Sequence, residues 1–499
     1  MNRKTMRYGI ALGSAIDDQA LKHLIRDDRQ EDLCFAIWNP SRGLDRRTAL
    51  IIKLILPMAN DRKLHGNASF SSDYFERALT EAVKKKTGLA LIHSHPFPGW
   101  QGMSKDDIAA EEGHAPAVLG ATGLPFVGLT MGTDGALSGR FWEKIGPRKY
   151  QRVWCESVRV VGNDFKITFN ENILAKPKFR EDLIRTRSAW GDEKQGILGR
   201  LHIGIIGLGS VGSIVAESLA RMGISKITLL DFDSLEILNL DRILHGSRKY
   251  VGQAKVRFIS NALRNSATAD NFSVRAVEWS VVEDLGFREA LDCDILFSCV
   301  DRPWARAVLN FIAYAHLIPV VDGGILVKTK KNGTLRSADW KAHVVCPGRI
   351  CMECLGQYDP GLVQAEREGY LEDPRYIQSL SEDHILKRNE NVFAFSLSAA
   401  SMQVLQMLSM IIAPLGISNI GAINYHFTIG HLDTNLGMCR TNCLYPGLTA
   451  TGDNTTLKVT GKDLKAEKER EKQEKQSRQF KERVNKYLAV LMSFVKKII

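Results

Sequence analysis

Between residues 203 and 255 the chain gathers a glycine loop, a carboxylate, and an Asn, an Arg and a Lys. Gly207, Gly209 and Gly212 form a G-x-G-x-x-G run between an apolar stretch (203–206) and a helical pattern (213–222). Glycines at this spacing permit a tight turn and close backbone approach, and the helix N-terminus behind them offers unpaired N–H groups to a phosphate. A second apolar stretch, 227–230, ends on Asp231, which is placed to accept from a ribose hydroxyl. Asn239 and Arg242 follow Asp231 by 8 and 11 residues, and Lys255 follows Arg242 by 13. A dinucleotide fold has no evident use for these three beside a phosphate loop. A site where negative charge accumulates on β- and γ-phosphates does.

A second set lies upstream. Residues 89–92 are a buried strand pattern running into His93-Ser94-His95-Pro96; Ser104 comes after seven more residues, and Asp107 three beyond that. Histidines alternating from a strand end can turn to one metal, with Asp107 or its neighbour Asp106 as third ligand. Three protein ligands leave a position for water, which defines a catalytic rather than a closed structural zinc site. Glu31, before the strand pattern 33–38, is the candidate general base, with Glu76 and Glu81 as the other nearby carboxylates; Ser104 would hydrogen-bond a developing oxyanion. A third set consists of two cysteine pairs, Cys351/Cys354 and Cys439/Cys443, which can make a tetrahedral structural zinc site that pins a C-terminal segment to the domain. Cys346 is the nearby thiol left over, and residues 355–438 contain no cysteine.

The elements that must carry these groups are those of an α/β protein. Residues 33–38 and 48–56 pattern as strands and 72–86 as a helix. Residues 142–200 show two short strand patterns, and 180–200 is a polar connector. Beyond Lys255 a helix (255–264) and strands near 272–277 and 294–300 continue the alternation, the last running to Asp301. Carboxylates at the C-terminal ends of parallel strands face the ligand crevice, so Asp301 is placed to hold Mg²⁺ between phosphates. A strand at 319–321 enters Asp322-Gly-Gly324, followed by antiparallel strands over 325–345, a buried helix within 389–415 and a late strand at 423–432.

The chain's 499 residues suit two or three domains, and 44% apolar with 25% charged residues is an ordinary soluble composition. Residues 393–413 carry no charge and are long enough to span a bilayer, yet their Ser and Gln content favours a helix buried over a sheet. Residues 462–499 hold 12 Lys and Arg against 6 Asp and Glu, over half of the net charge of +11. The basic balance is therefore a property of the tail and is poor evidence for nucleic-acid binding. That tail patterns as a charged, solvent-exposed helix ending in an apolar stripe (Val484, Tyr487, Leu488, Leu491, Val495, Ile498), with self-packing favoured over a membrane. With no leader pattern at its start and nine cysteines, the chain is expected to be cytoplasmic, with its thiols reduced or metal-bound.

The glycine loop, Asp231, NLDR, Lys255 and Asp301 together resemble the ubiquitin-activating, ThiF/MoeB adenylyltransferase family. Where that family commonly has an asparagine after the metal-binding aspartate, this chain has Arg302. The resemblance implies a Rossmann-like adenylation domain over 201–455 that binds ATP and Mg²⁺. Gly207, Gly209 and Gly212 would cradle phosphate, Asp231 hold ribose, and Asn239, Arg242 and Lys255 stabilise the departing pyrophosphate; Arg306 and Asn310 complete the match. RTRSAWG resembles the family's N-terminal arm (166–200), where Arg185 would reach the ATP of a neighbouring subunit and so implies a homodimer. The upstream set resembles the JAMM/MPN metallo-isopeptidases, with a His95–Ser104 gap one residue longer than usual. It implies an α/β domain over 1–165 with zinc on His93, His95 and Asp107, Glu31 as base and Ser104 at the oxyanion. A charged, amphipathic helix over 456–499 ends the chain.

The two resemblances together imply activation of the C-terminal glycine of a ubiquitin-like protein, coupled to processing or deconjugation of that protein, with a conjugating enzyme as a further partner. Sulfur-carrier chemistry through a thiocarboxylate, with a protease trimming the carrier, is the enzymatic alternative. A non-catalytic scaffold that only binds a ubiquitin-like protein is the alternative of another class. An NAD oxidoreductase leaves the cysteine pairs unexplained. The residues leave open whether an acceptor thiol lies in this chain or in a partner.

Overall fold

The computed structural model describes residues 6–498, apart from 66, 331, 381–383, 385–386 and 388–389. Its N-terminal half is built on a nine-stranded mixed sheet. In spatial order the strands are Phe165–Phe169, Ser157–Val161, Arg7–Gly13, Arg46–Ile55, Leu33–Arg42, Gly88–Ser94, Phe126–Met131, Leu137–Gly146 and Lys149–Trp154. Side chains alternate across a strand, and both faces of this sheet are covered. Cys34, Ala36 and Trp38 pack with Ala20 and Leu24 of the helix Ser14–Leu24. Leu33, Phe35 and Ile37 pack with Tyr74 and Ala78 of Ser72–Lys85 and with Ala115 and Val118 of Lys105–Thr122. The sheet runs to Phe169, so this half outlasts the expected boundary at 165. Residues 137–169 supply four strands where two short patterns are expected over 142–200, because buried Arg140 and the charged residues from Glu143 onward interrupt the alternation of the hairpin Leu137–Trp154.

The second half carries an eight-stranded sheet ordered Ser273–Val277, Lys226–Leu230, His202–Ile206, Ile295–Ser298, Val320–Thr329, Leu335–Val345, Ala422–His426, His431–Asn435. The first five are mutually parallel and the rest antiparallel. Strand order reverses about His202–Ile206, which places the ligand crevice at the carboxyl ends of these strands. Three sequence expectations change here. Val320–Thr329 runs straight through Asp322-Gly-Gly324 instead of ending there. The single late strand is a hairpin turned by Phe427–Ile429 and Gly430 at φ +62°. Residues 184–200 form a helix kinked at Gly191 (φ +85°) rather than a bare connector.

The uncharged helix Phe393–Ile412 lies against the sheet with half of its length buried. Gln403 Nε2 donates to Ser298 O and Val321 O, and Gln406 Nε2 to Ala342 O and Gly421 O. Those amides serve sheet carbonyls, as a soluble core helix requires. The two halves also share a core and a buried ionic seam. Arg46 Nη1 and Arg159 Nη1 approach Asp294 Oδ1 at 2.7 and 2.9 Å. Burial opposes ionisation of Asp294, but Arg46 outweighs it and holds the carboxyl below its ordinary range.

Candidate functional site

The glycine loop follows directly from the strand His202–Ile206. Gly207 takes φ +89°, and a Cβ there would stand 2.6 Å from Cys299 O. A Cβ on Gly212 would meet Gly207 O at 1.9 Å, so the helix Ser210–Arg221 can start only if this residue is glycine. Asp231 braces the loop: its two oxygens accept from Leu208 N (2.6 Å) and Asp233 N (2.7 Å). A carboxylate has about four acceptor sites, so capacity for a ribose hydroxyl is left.

Lys255 is buried at the start of the helix Lys255–Ser266 with its Nζ 3.0 Å from Asp233 Oδ2. Burial alone would lower its pKa; Asp231 and Asp233 outweigh this and keep it protonated. Asn239 Oδ1 accepts from Glu236 N, and Arg242 Nη1 donates to Leu238 O and Asp241 Oδ1, so both are folded back on their own turn. Asp301 is exposed at the crevice three residues beyond Ile295–Ser298, and Arg302 pairs with Glu372 at 2.8 Å. Arg306 and Asn310 brace the structure: Arg306 donates to Val300 O, Gly323 O and Gln357 O, and Asn310 holds Met352 N and Tyr358 OH.

Gly207, Gly209, Asp231, Asn239, Arg242, Lys255, Asp301, Arg302 and Arg306 line one cavity of about 2050 Å³. That is roughly twice the upper end of ordinary small-ligand pockets (about 1,000 Å³). Sequence reasoning missed several of its groups. Burial pushes the Glu366 carboxyl up to about 7. Lys341 is lowered by burial and by Arg306. Both ring nitrogens of His343 are buried without a hydrogen-bond partner, while Asp322, outside the lining, pairs its Oδ2 with Arg306 Nη1 at 3.7 Å. Cys299 also lines the cavity, but burial raises its thiol far above the ordinary range.

Beside the cavity, the sulfurs of Cys351, Cys354, Cys439 and Cys443 can all lie within 4.8 Å of one another. Cys351 N points at Cys439 Sγ (3.2 Å), Cys354 N at Cys351 Sγ (3.3 Å) and Arg440 N at Cys354 Sγ (3.4 Å). Amides aimed at sulfur favour thiolate. At Cys354 burial works against ionisation, yet the Arg440 amide and neighbouring thiols bring it down to about 7. Cys346 stands apart, hydrogen-bonded to Gly162 O at 3.1 Å and pushed up to about 11 by burial. As folded it is no acceptor nucleophile.

In the N-terminal half, His93 and His95 approach Asp107 at 3.5 and 3.3 Å, with their Nε2 atoms 3.2 Å apart. Burial would raise the Asp107 carboxyl, but His93 and His95 hold it well below its usual range. Asp106 is exposed and outside the group, which resolves the choice between the two aspartates. Ser104 caps the helix Lys105–Thr122 by accepting from Asp107 N while Asp107 Oδ2 accepts from Ser104 N. It thereby fixes Asp107 at the start of the helix. Glu31 is raised by burial, His95, His93 and Asp107 being the charges it feels. One turn beyond Asp107, buried Glu111 accepts from Arg140 and Trp142, and Arg140 donates to Thr130, whose Oγ1 is 3.4 Å from His93 Nε2.

The family model described as the ThiF family matches residues 183–440. The chain belongs to the ThiF family. Among curated relatives, ubiquitin-like modifier-activating enzyme 5 of Drosophila virilis is 26% identical over 260 residues, covering 50% of this chain and 55% of the relative. The Xenopus laevis enzyme of that name is 30% identical over 118 residues, 22% of this chain and 30% of the relative. The tRNA threonylcarbamoyladenosine dehydratase of Escherichia coli K12 is 33% identical over 153 residues, 31% of this chain and 57% of the relative. The chain thus spans between about a third and three-fifths of these relatives. The crystal structure of E. coli MccB with ATP matches at 19% identity and a TM-score of 0.42, over 53% of this chain and 74% of that one. The ThiF match contains the glycine loop, Asp231, Lys255, Asp301 and three of the four zinc-spaced cysteines in full, with Cys443 just beyond it. The His93–His95–Asp107 group lies outside it. Arg185 falls inside the match, exposed on the helix ahead of Gly191.

Proposed function

We propose that the chain adenylates the C-terminal glycine of a small ubiquitin-like protein. The observation that carries this is a cavity too large for a nucleotide alone, in which Gly207, Asp231, Lys255 and Asp301 share walls with Lys341 and with His343, whose ring nitrogens are buried without a hydrogen bond. The first four serve ATP, and the second group lies where an extended carboxyl-terminal tail would enter. A carboxylate oxygen attacks the α-phosphorus, the bond to the bridging oxygen breaks, and pyrophosphate leaves with both electrons. Lys255, held protonated, and Arg242, once turned from Asp241, meet the charge on that leaving group. Asp301, exposed at the crevice, would hold Mg²⁺. Arg185 is offered to a second copy in a homodimer. With Cys346 buried and the Cys346 and Cys299 thiols both raised, the adenylate would pass to a thiol on a partner, a conjugating enzyme or a sulfurtransferase.

The test is ATP–pyrophosphate exchange with candidate ubiquitin-like and sulfur-carrier proteins, each with and without its last glycine. Exchange that requires the glycine is the expected result. Exchange supported by tRNA instead, or by none of the proteins, would overturn the reading.

The His93–His95–Asp107 group supports a second activity on the same partner, hydrolysis of the amide beyond its glycine. The donors fit zinc: two imidazoles and one carboxylate, converging and held from behind by Ser104 and Thr130. A bound zinc ion would supply Lewis acidity to the scissile carbonyl and lower the pKa of water. Glu31, raised by burial, is poised to take a proton, and Ser104 Oγ to donate to the carbonyl oxygen. With a fusion through the partner's C-terminal glycine as substrate, Glu31→Gln is expected to lower cleavage by about 10²–10⁴-fold while metal content is kept. His95→Ala is expected to lose both. Equal cleavage by wild type and Glu31→Gln would remove Glu31 from the role.

A further inference from the structure

Asp233 sits between two lysines that are 210 residues apart in the chain. Lys255 Nζ lies 3.0 Å from its Oδ2, and Lys465 Nζ 3.3 Å from its Oδ1. Lys465 belongs to the first turn of the helix Leu464–Ile498, whose charge pattern alone points to solvent. Its opening turns are docked instead. Ala466 is fully buried. Arg470 reaches Glu283 at 2.8 and 2.6 Å and lies 4.0 Å over the Trp279 ring. Gln473 donates to Phe232 O and Ser234 Oγ at 3.3 and 3.0 Å. Spacings of three and four place 466, 470 and 473 on one helix face. The segment before the helix is fastened too, by Gly461 N to Val282 O and Trp304 Nε1 to Val459 O. Val484 and Leu488 are exposed, and the side chains of Tyr487, Leu491, Val495 and Ile498 lie outside the described residues.

Asp463, Lys465 and Glu469 line the same cavity as Gly207 and Asp231. The C-terminal helix is therefore one wall of the nucleotide site. We propose that Lys465 is a positioning residue that keeps Asp233 paired when Lys255 leaves it for the β- and γ-phosphates. This rests on the nucleotide reading above. Lys255 is committed to Asp233 as the chain stands, and one ammonium cannot hold both that carboxylate and a triphosphate at full strength. Asp233 is partly buried, and a partly buried carboxylate stripped of its cation is destabilised, which would hold Lys255 back. Lys465 removes it, because the second oxygen of Asp233 keeps its own ammonium. Arg470 and Gln473 fix the helix so that this ammonium stays in place.

The test uses the full chain and nucleotide binding, which needs no protein partner. Affinities for Mg²⁺-ATP and for AMP would be measured by calorimetry. Lys465→Met is expected to weaken ATP about tenfold and to leave AMP, which lacks the phosphates Lys255 would reach, within about twofold. Lys465→Arg is expected to stay close to wild type. Adding Asp233→Asn to Lys465→Met removes the stranded charge and is expected to restore most of the ATP affinity. Unchanged ATP affinity in Lys465→Met, or an equal fall for ATP and AMP, would overturn the proposal while leaving the nucleotide reading intact. A wild-type chain that binds no ATP would remove both.

Discussion

Lys255→Ala is expected to lower glycine-dependent ATP–pyrophosphate exchange by about 10²–10³-fold, the usual consequence of deleting one preorganised donor at developing charge. The size follows from the surroundings of the ammonium. Lys255 is buried, and Asp231 and Asp233 hold it protonated. Its charge therefore needs no reorganisation from solvent when pyrophosphate departs. Losing a buried lysine can also unfold a protein by stranding its partner carboxylate. Here Asp233 retains Lys465, and Asp231 retains the Leu208 and Asp233 amides. The variant should accordingly melt within a few degrees of wild type, and the two effects can be separated by measuring exchange and thermal unfolding on one preparation. Asp301→Asn offers an independent check at an exposed residue with little packing to lose: a similar fall in exchange is expected, partly recovered at high Mg²⁺. Exchange by Lys255→Ala within threefold of wild type would place the leaving-group charge on some other residue.

The chemistry was more legible in the sequence than the walls around it. Local spacing carries the glycine loop, Asp231, the histidine–aspartate group and the cysteine pairs, because each set is fixed by a turn or a strand end a few residues long. Asp233 was invisible as a functional residue, since its importance depends on Lys465, which folding alone brings near. Arg306 and Asn310 match the family pattern yet serve backbone carbonyls and a neighbouring loop here. The charged hairpin Leu137–Trp154 and the helix Ile184–Arg200 were under-read for a related reason. Polar residues interrupt both, some of them buried (Arg140, Gln195), and the apolar period that marks a buried element is weak there. The tail helix shows the reverse case, a charged pattern whose first turns dock through Arg470 and Gln473 instead of an apolar stripe.

The four-cysteine cluster predicts the second large effect. Cys351 and Cys354 close the chain just after Leu335–Val345, and Cys439 and Cys443 close it again some 90 residues later, Cys351 and Cys443 being 92 apart with their sulfurs at 3.6 Å. The segment from Leu444 to Gln473 is then laid back across both halves of the molecule. Ala450 N donates to Tyr314 O, Asn39 and Asn454 join that segment to the N-terminal sheet, and the helix from Leu464 reaches Asp233. Zinc bound by four thiolates would carry part of the folding energy of this closure; structural zinc in small domains is worth about 10–16 kcal/mol, and a fraction of that is expected where a large core already exists. Cys354→Ser should lower Tm by more than about 10 °C and release one zinc per chain. Hydrogen exchange should quicken around 346–358 and 436–473 while the strands 7–13 and 33–55 stay protected. Because the released segment carries Lys465, ATP affinity should fall with the metal, whereas metal at His93, His95 and Asp107 should remain. Loss of zinc without any change in nucleotide binding would mean that the C-terminal helix is held by Arg470 and Gln473 alone.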